Sequence, residues 1–130
     1  MKEESEINCY FYGRSSNVKQ TPDFLDVQRE QAYQKALSRN MQIIREYCDV
    51  GDFSMLKQML EDIETKKDKV DYVLSFDILR FGYNEKEISN TLQVLEENGL
   101  SLLLIKEDLD SNNDYPKILL RSILVSGKES

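Results

Sequence analysis

The chain has 130 residues, 17 Lys+Arg against 24 Asp+Glu for a formal net charge of −7, 40% hydrophobic residues and no histidine. A chain of this length and composition folds as one domain over residues 1–130 without staples, and the missing histidine excludes Ser-His-Asp catalysis and histidine-based zinc sites. Its two cysteines give no disulfide framework, and the acidic balance argues against broad, nonspecific nucleic-acid binding, so any DNA contact must use a few placed arginines.

After an acidic, frayed start at residues 1–6, Ile7-Asn-Cys-Tyr-Phe-Tyr12 reads as a first strand closed by Gly13. Thr21-Pro22-Asp23 then signals a helix start, with Thr21 as N-cap and Pro22 at the first helical position, and the helix runs to about Arg39. Met41–Glu46 is a second strand, followed by a turn at Cys48-Asp-Val-Gly-Asp52. Phe53, Leu56, Met59, Leu60 and Ile63 recur at helical spacing, and Val70–Phe76 is a third strand. Asn84-Glu-Lys-Glu87 has the spacing of a capping box; Ile88, Leu92 and Leu95 continue the helix to Gly99, a natural residue just past a helix end.

Ser101–Ile105 is a nearly continuous apolar run, as expected of a strand covered on both faces. Its Leu102–Ile105 stretch is the longest aliphatic run, far below the roughly 20 residues of a membrane span, and the opening MKEESE lacks a signal peptide's order; a cytoplasmic protein with no membrane partner is expected. Asp114-Tyr-Pro116 opens a last helix carrying Ile118, Leu119, Ile123 and Leu124. Strand and helix alternate, which predicts an α/β fold with a mostly parallel central sheet of about four to five strands flanked by helices. Ligands of such sheets sit at the carboxyl ends of strands, here the loops 13–21, 47–53, 77–84 and 106–114.

Two of those loops bring Arg14, Ser16 and Arg80 toward one sheet edge. A hydroxyl flanked by guanidiniums suits attack on a phosphodiester, because arginine grips phosphate in a fork and stabilises charge developing on its oxygens. Tyr12-Gly-Arg14-Ser-Ser16-Asn-Val-Lys-Gln20 resembles the opening motif of the serine site-specific recombinases, the resolvase/invertase family. Leu25-Asp-Val-Gln28 resembles that family's first-helix segment, Val70–Leu74 its third strand, Leu79-Arg80-Phe-Gly-Tyr-Asn84 its second arginine motif, Leu92 with Leu95–Gly99 the end of the next helix, and Glu107–Asp110 the loop before its dimerisation helix. The resemblance covers almost the whole chain in order and implies a resolvase-like catalytic domain, bacterial or phage-encoded.

By the same resemblance, Ser16 is the nucleophile, Arg14 and Arg80 bind the scissile phosphate, and Gln20 holds Ser16 or a phosphate oxygen; Ser15 points into the fold or bonds locally. The implied reaction cuts and rejoins DNA through a 5′-phosphoserine link, with no metal or cofactor. DNA is the implied partner, together with further copies of the chain as a dimer or tetramer. Residues 115–130 resemble only the start of the dimerisation helix, and no counterpart of the family's DNA-binding region is expected within the 130 residues. Phe53 and Tyr83 stand where the family carries arginines, and Leu79 where it carries Asp or Ser. These departures support an alternative, a catalytically degenerate resolvase-like module acting in assembly or regulation. A third reading, a small phosphate- or nucleotide-binding protein, lacks the glycine-rich loop it would need.

Overall fold

In the computed structural model the described residues are 7–15, 22–106 and 108–111. They form β1 (Ile7–Ser15), α1 (Pro22–Ser38), β2 (Met41–Val50), α2 (Ser54–Glu64), β3 (Tyr72–Ser75), a 3₁₀ turn (Ile78–Phe81), α3 (Glu85–Glu97), β4 (Ser101–Leu104) and β5 (Leu109–Asp110). The sheet order is β2-β1-β3-β4-β5, parallel except for the antiparallel β4–β5 pair. The expected α/β class and mostly parallel sheet are observed.

Two strand ends lie farther along than the sequence suggests. β1 continues past Gly13 to Ser15, and β2 continues past Glu46 to Val50, so Cys48 and Asp49 lie in a strand rather than in the expected turn. The reason is their pairing: Gly13, Arg14 and Ser15 sit opposite Cys48, Asp49 and Val50, and a ladder that long outweighs the turn propensity of Asp and Gly. A shift in register between Cys9 and Tyr10 accommodates one extra residue on β2. The N-cap expected at Thr21, and the last helix from Asp114, lie outside the described residues.

Side chains alternate across the sheet as strand geometry requires. Tyr10, Tyr12, Val73, Leu102 and Leu104 face a core shared with Leu56, Met59 and Ile63 of α2 and Ile88, Leu92 and Leu95 of α3. Cys9, Phe11, Leu74 and Leu103 face the other way, onto Ala32 and Ala36 of α1. The small alanines sit four residues apart on one face of α1, below Gln28, and let the helix lie close to the sheet.

α3 carries both of its expected end signals. The Asn84 side chain accepts from Glu87 N–H at 2.9 Å, while Glu87 reaches back to Tyr83 N–H, one residue before the usual capping-box partner. At the other end Gly99, with φ +76°, lets Leu100 N–H bond to Leu95 C=O and Gly99 N–H to Glu96 C=O.

The chain order fixes where the crevice lies. From β1 it moves through α1 to β2 on one side, then through α2 back across to β3 on the other. With right-handed crossovers, the reversal puts α1 on one face and α2 and α3 on the opposite face. The carboxyl ends of β1 and β3, where the direction reverses, therefore open between two diverging connections.

Candidate active site

Arg14 is the penultimate residue of β1, and Arg80 sits in the 3₁₀ turn after β3. They meet at that switch point: Arg80 Nη1 donates to the Arg14 carbonyl at 3.0 Å. Two of the four expected site residues are thus brought together; Ser16 and Gln20 lie outside the described residues. Ser15, just before Ser16, is buried.

The Arg14 backbone is clamped by a residue singled out only through resemblance. Gln28 of α1 is fully buried, its Oε1 accepts from Arg14 N–H at 3.2 Å, and its Nε2 donates to Arg14 C=O at 3.0 Å. A buried primary amide that satisfies both backbone groups of one residue locks the end of β1 to α1.

Arg14 as a residue is only 6% exposed. Its Nε donates to Asp52 C=O at 3.0 Å, the guanidinium lies 4.0 Å from the centre of the Phe53 ring, and Nη2 is 3.5 Å from the Tyr83 hydroxyl. The Phe53 and Tyr83 rings meet edge to face at 4.7 Å, and the Tyr83 hydroxyl donates to Gly51 C=O at 3.2 Å. The two positions marked above as departures are therefore neighbours, and both act on the same arginine. Leu79, the third, is half-exposed, and its N–H caps onto Asp77.

Arg80 is held differently. Asp77, buried, accepts from Arg80 Nε at 3.0 Å and from Leu79 N–H at 3.1 Å, while Phe24 and Phe76 stack near the guanidinium at 5.2 and 5.9 Å. Asp77 thus caps the 3₁₀ turn and aims Arg80 with the same carboxylate.

Sequence reasoning passed over Asp49. Its buried carboxylate accepts from the Tyr12 hydroxyl at 2.8 Å and from the N–H groups of Met55 and Leu56 at 2.9 and 3.0 Å. Phe53, at the N-cap position of α2, has no side chain able to do this, so Asp49 supplies the cap from β2. Burial and then the bond to Asp49 push the Tyr12 phenol above its ordinary range, which keeps it a donor. The thiols are poor nucleophiles: burial, reinforced by Asp71, pushes Cys9 up to about 12, and burial, reinforced by Glu46, raises Cys48. No cluster of three or more metal-ligating side chains occurs among the described residues, and no described helix is long and apolar enough to cross a membrane.

A family model described as the resolvase N-terminal domain matches residues 9–127. The chain belongs to the resolvase family. This resolvase-family chain superposes on a resolvase family site-specific recombinase from Streptococcus pneumoniae with a TM-score of 0.80 and 28% identity, over 95% of this chain and 88% of that one. It matches the N-terminal catalytic domain of TP901-1 integrase at TM-score 0.75 and 18% identity, over 94% and 96% of the two chains. The C-terminal catalytic domain of ISC1926 TnpA, an IS607-like serine recombinase, matches at TM-score 0.68 and 16% identity, over 76% and 70%. The last two similarities concern the fold alone. No curated protein sequence matches the chain. The resolvase catalytic-domain fold is thus the frame that carries Arg14 and Arg80.

Proposed function

We propose that this chain is the catalytic domain of a serine site-specific recombinase, in which Arg14 and Arg80 grip a DNA phosphate beside Ser16. The observation that carries this reading is the meeting of the two arginines at the switch point, with Arg80 bonded to the Arg14 carbonyl. In the proposed reaction the Ser16 hydroxyl oxygen attacks phosphorus and the bond to the 3′ oxygen breaks. The serine proton ends on that 3′ oxygen, and a 5′-phosphoserine link remains. Attack by the 3′-hydroxyl of another strand reverses the step and restores the serine. Bond count is conserved throughout, so no cofactor or external energy source enters. Gln20 is assigned to holding Ser16 or a phosphate oxygen. DNA and further copies of the chain are the proposed partners, in the cytoplasm.

A second reading, a degenerate module with the same fold, is favoured by one feature: both guanidiniums are engaged within the protein, Arg14 by Asp52, Phe53 and Tyr83 and Arg80 by Asp77. A covalent-trapping assay separates the two. Full-length protein and its Ser16→Ala variant are incubated with supercoiled DNA carrying the candidate site, quenched in denaturant and analysed by mass spectrometry. A DNA adduct on Ser16 that the substitution abolishes is the expected result. Folded protein bound to the site without an adduct would overturn it in favour of the module.

A further inference from the structure

Arg14 and Arg80 differ in how their charge is balanced. Arg80 has a carboxylate partner in Asp77. Arg14 has no ion pair with any carboxylate among the described residues; a carbonyl, an aromatic face and a phenol hold it instead. A buried cation with no carboxylate in contact with it keeps more attraction for an incoming anion than one that is ion-paired.

The groups that hold it differ in exposure. Phe53 is half-buried at the start of α2, whereas Tyr83 is 67% exposed, between Gly82 and the capped start of α3. Tyr83 also borders an open groove of about 480 Å³ between α2 and α3, lined by Leu56, Leu60, Phe81 and Thr91 among others. The ring has room to move without disturbing the core. An exposed side chain thus covers a buried guanidinium that no described carboxylate pairs with.

We propose that Phe53 and Tyr83 are positioning residues that clamp the Arg14 guanidinium, and that Tyr83 is its movable cover, which must swing aside before Arg14 can meet a phosphate. The inference rests on the phosphate-handling role proposed for Arg14 and adds a gate to it. In the closed arrangement the face of the guanidinium lies on Phe53 and one edge is spent on Asp52 and Tyr83. Moving Tyr83 frees one Nη, while Phe53 still fixes the plane in which it donates.

Labelling by phenylglyoxal, which modifies accessible guanidiniums, tests this on the full chain with peptide mapping by mass spectrometry. The guanidinium also lies 5.3 Å from the Tyr83 ring, so in Tyr83→Ala labelling of Arg14 rises by roughly an order of magnitude, the scale of that cation–π contact plus one hydrogen bond, while Arg80 labelling and the circular dichroism spectrum stay as in the wild type. Tyr83→Phe, which keeps the ring and loses the hydroxyl, gives an intermediate rate. Inorganic pyrophosphate then protects Arg14 in Tyr83→Ala far more than in the wild type. Equal Arg14 labelling in all three proteins overturns the clamp, and a rise that pyrophosphate does not suppress overturns the gate. Both readouts are independent of strand cleavage, so failure of the recombinase reading in the trapping assay is distinguishable from failure here.

Discussion

Asp49 offers the sharpest test of how the site is built, because one carboxylate joins β1, β2 and the start of α2. Truncation in Asp49→Ala removes the acceptor for Met55 and Leu56 N–H, which costs about 1 kcal/mol as a lost helix cap. It removes a negative charge from the N-terminus of α2, about 0.5 kcal/mol. It also strands the Tyr12 hydroxyl, which is fully buried and has Asp49 as its acceptor, at about 1–3 kcal/mol. The expected loss is therefore about 3 kcal/mol, a large share of the 5–15 kcal/mol typical of a domain, and lowers Tm by about 10 °C at this chain length. Asp49→Asn keeps the shape and one acceptor and should lose about half as much. Urea unfolding followed by circular dichroism measures both. The stranded hydroxyl predicts a coupling as well: in a Tyr12→Phe background no orphan is left, so Asp49→Ala costs about 1–3 kcal/mol less. A loss below about 1 kcal/mol for Asp49→Ala, or full additivity with Tyr12→Phe, would refute the argument that this carboxylate caps α2 and satisfies Tyr12.

Alkaline pH should unfold the protein earlier than surface tyrosines would allow. Burial, then bonds to Asp68 and Asp110, push the Tyr10 and Tyr72 phenols up to about 12. The folded chain therefore keeps protons that the unfolded chain releases near pH 10, and stability falls between about pH 10 and about 12. The urea midpoint measured across that range should decline, less steeply in Tyr10→Phe; a flat profile would contradict the assignment. At Gly82 the backbone is extended and any residue could adopt it, but an added Cβ would lie 2.7 Å from Glu87 Cβ and 2.9 Å from Ile88 N. Gly82→Ala must therefore push the loop away from α3, with an expected cost of about 1–3 kcal/mol in thermal unfolding and faster Arg14 labelling as Tyr83 is displaced.

The fold was legible where a single physical signal dominated. The aromatic run from Ile7, the apolar run at Ser101–Ile105 and the signals at Asn84 and Gly99 each located an element, because burial on both faces and helix capping leave local marks. The ends of β1 and β2 were not legible. Gly13, Asp49 and Gly51 favour turns locally, and only the pairing of two strands extends the ladder to Ser15 and Val50. α1 was found by its start rather than by its buried face, since Gln28, Ala32 and Ala36 make a stripe with little apolar contrast.

The site shows the same division between local and assembled information. Arg14 and Arg80 could be chosen from the sequence because strand order sends both to the switch point. What holds each could not: Asp77 lies three residues from Arg80, but the partners of Arg14 lie 14, 38 and 69 residues away. This matters for the meaning of Phe53 and Tyr83. Taken one at a time in the sequence, each reads, by the resemblance, as a departure from an arginine. Side by side in the structure, the two rings surround the Arg14 guanidinium with aromatic surface. A buried guanidinium tolerates such a shell because rings and carbonyls partly repay desolvation without repelling it. Additional cations at the same spot would destabilise the site by mutual repulsion. Fewer charges therefore stabilise the resting fold, and under the proposed function phosphate recognition would fall to Arg14 and Arg80. It follows that Tyr83→Arg should do more than restore a donor: it would set a second cation beside one held by no carboxylate among the described residues.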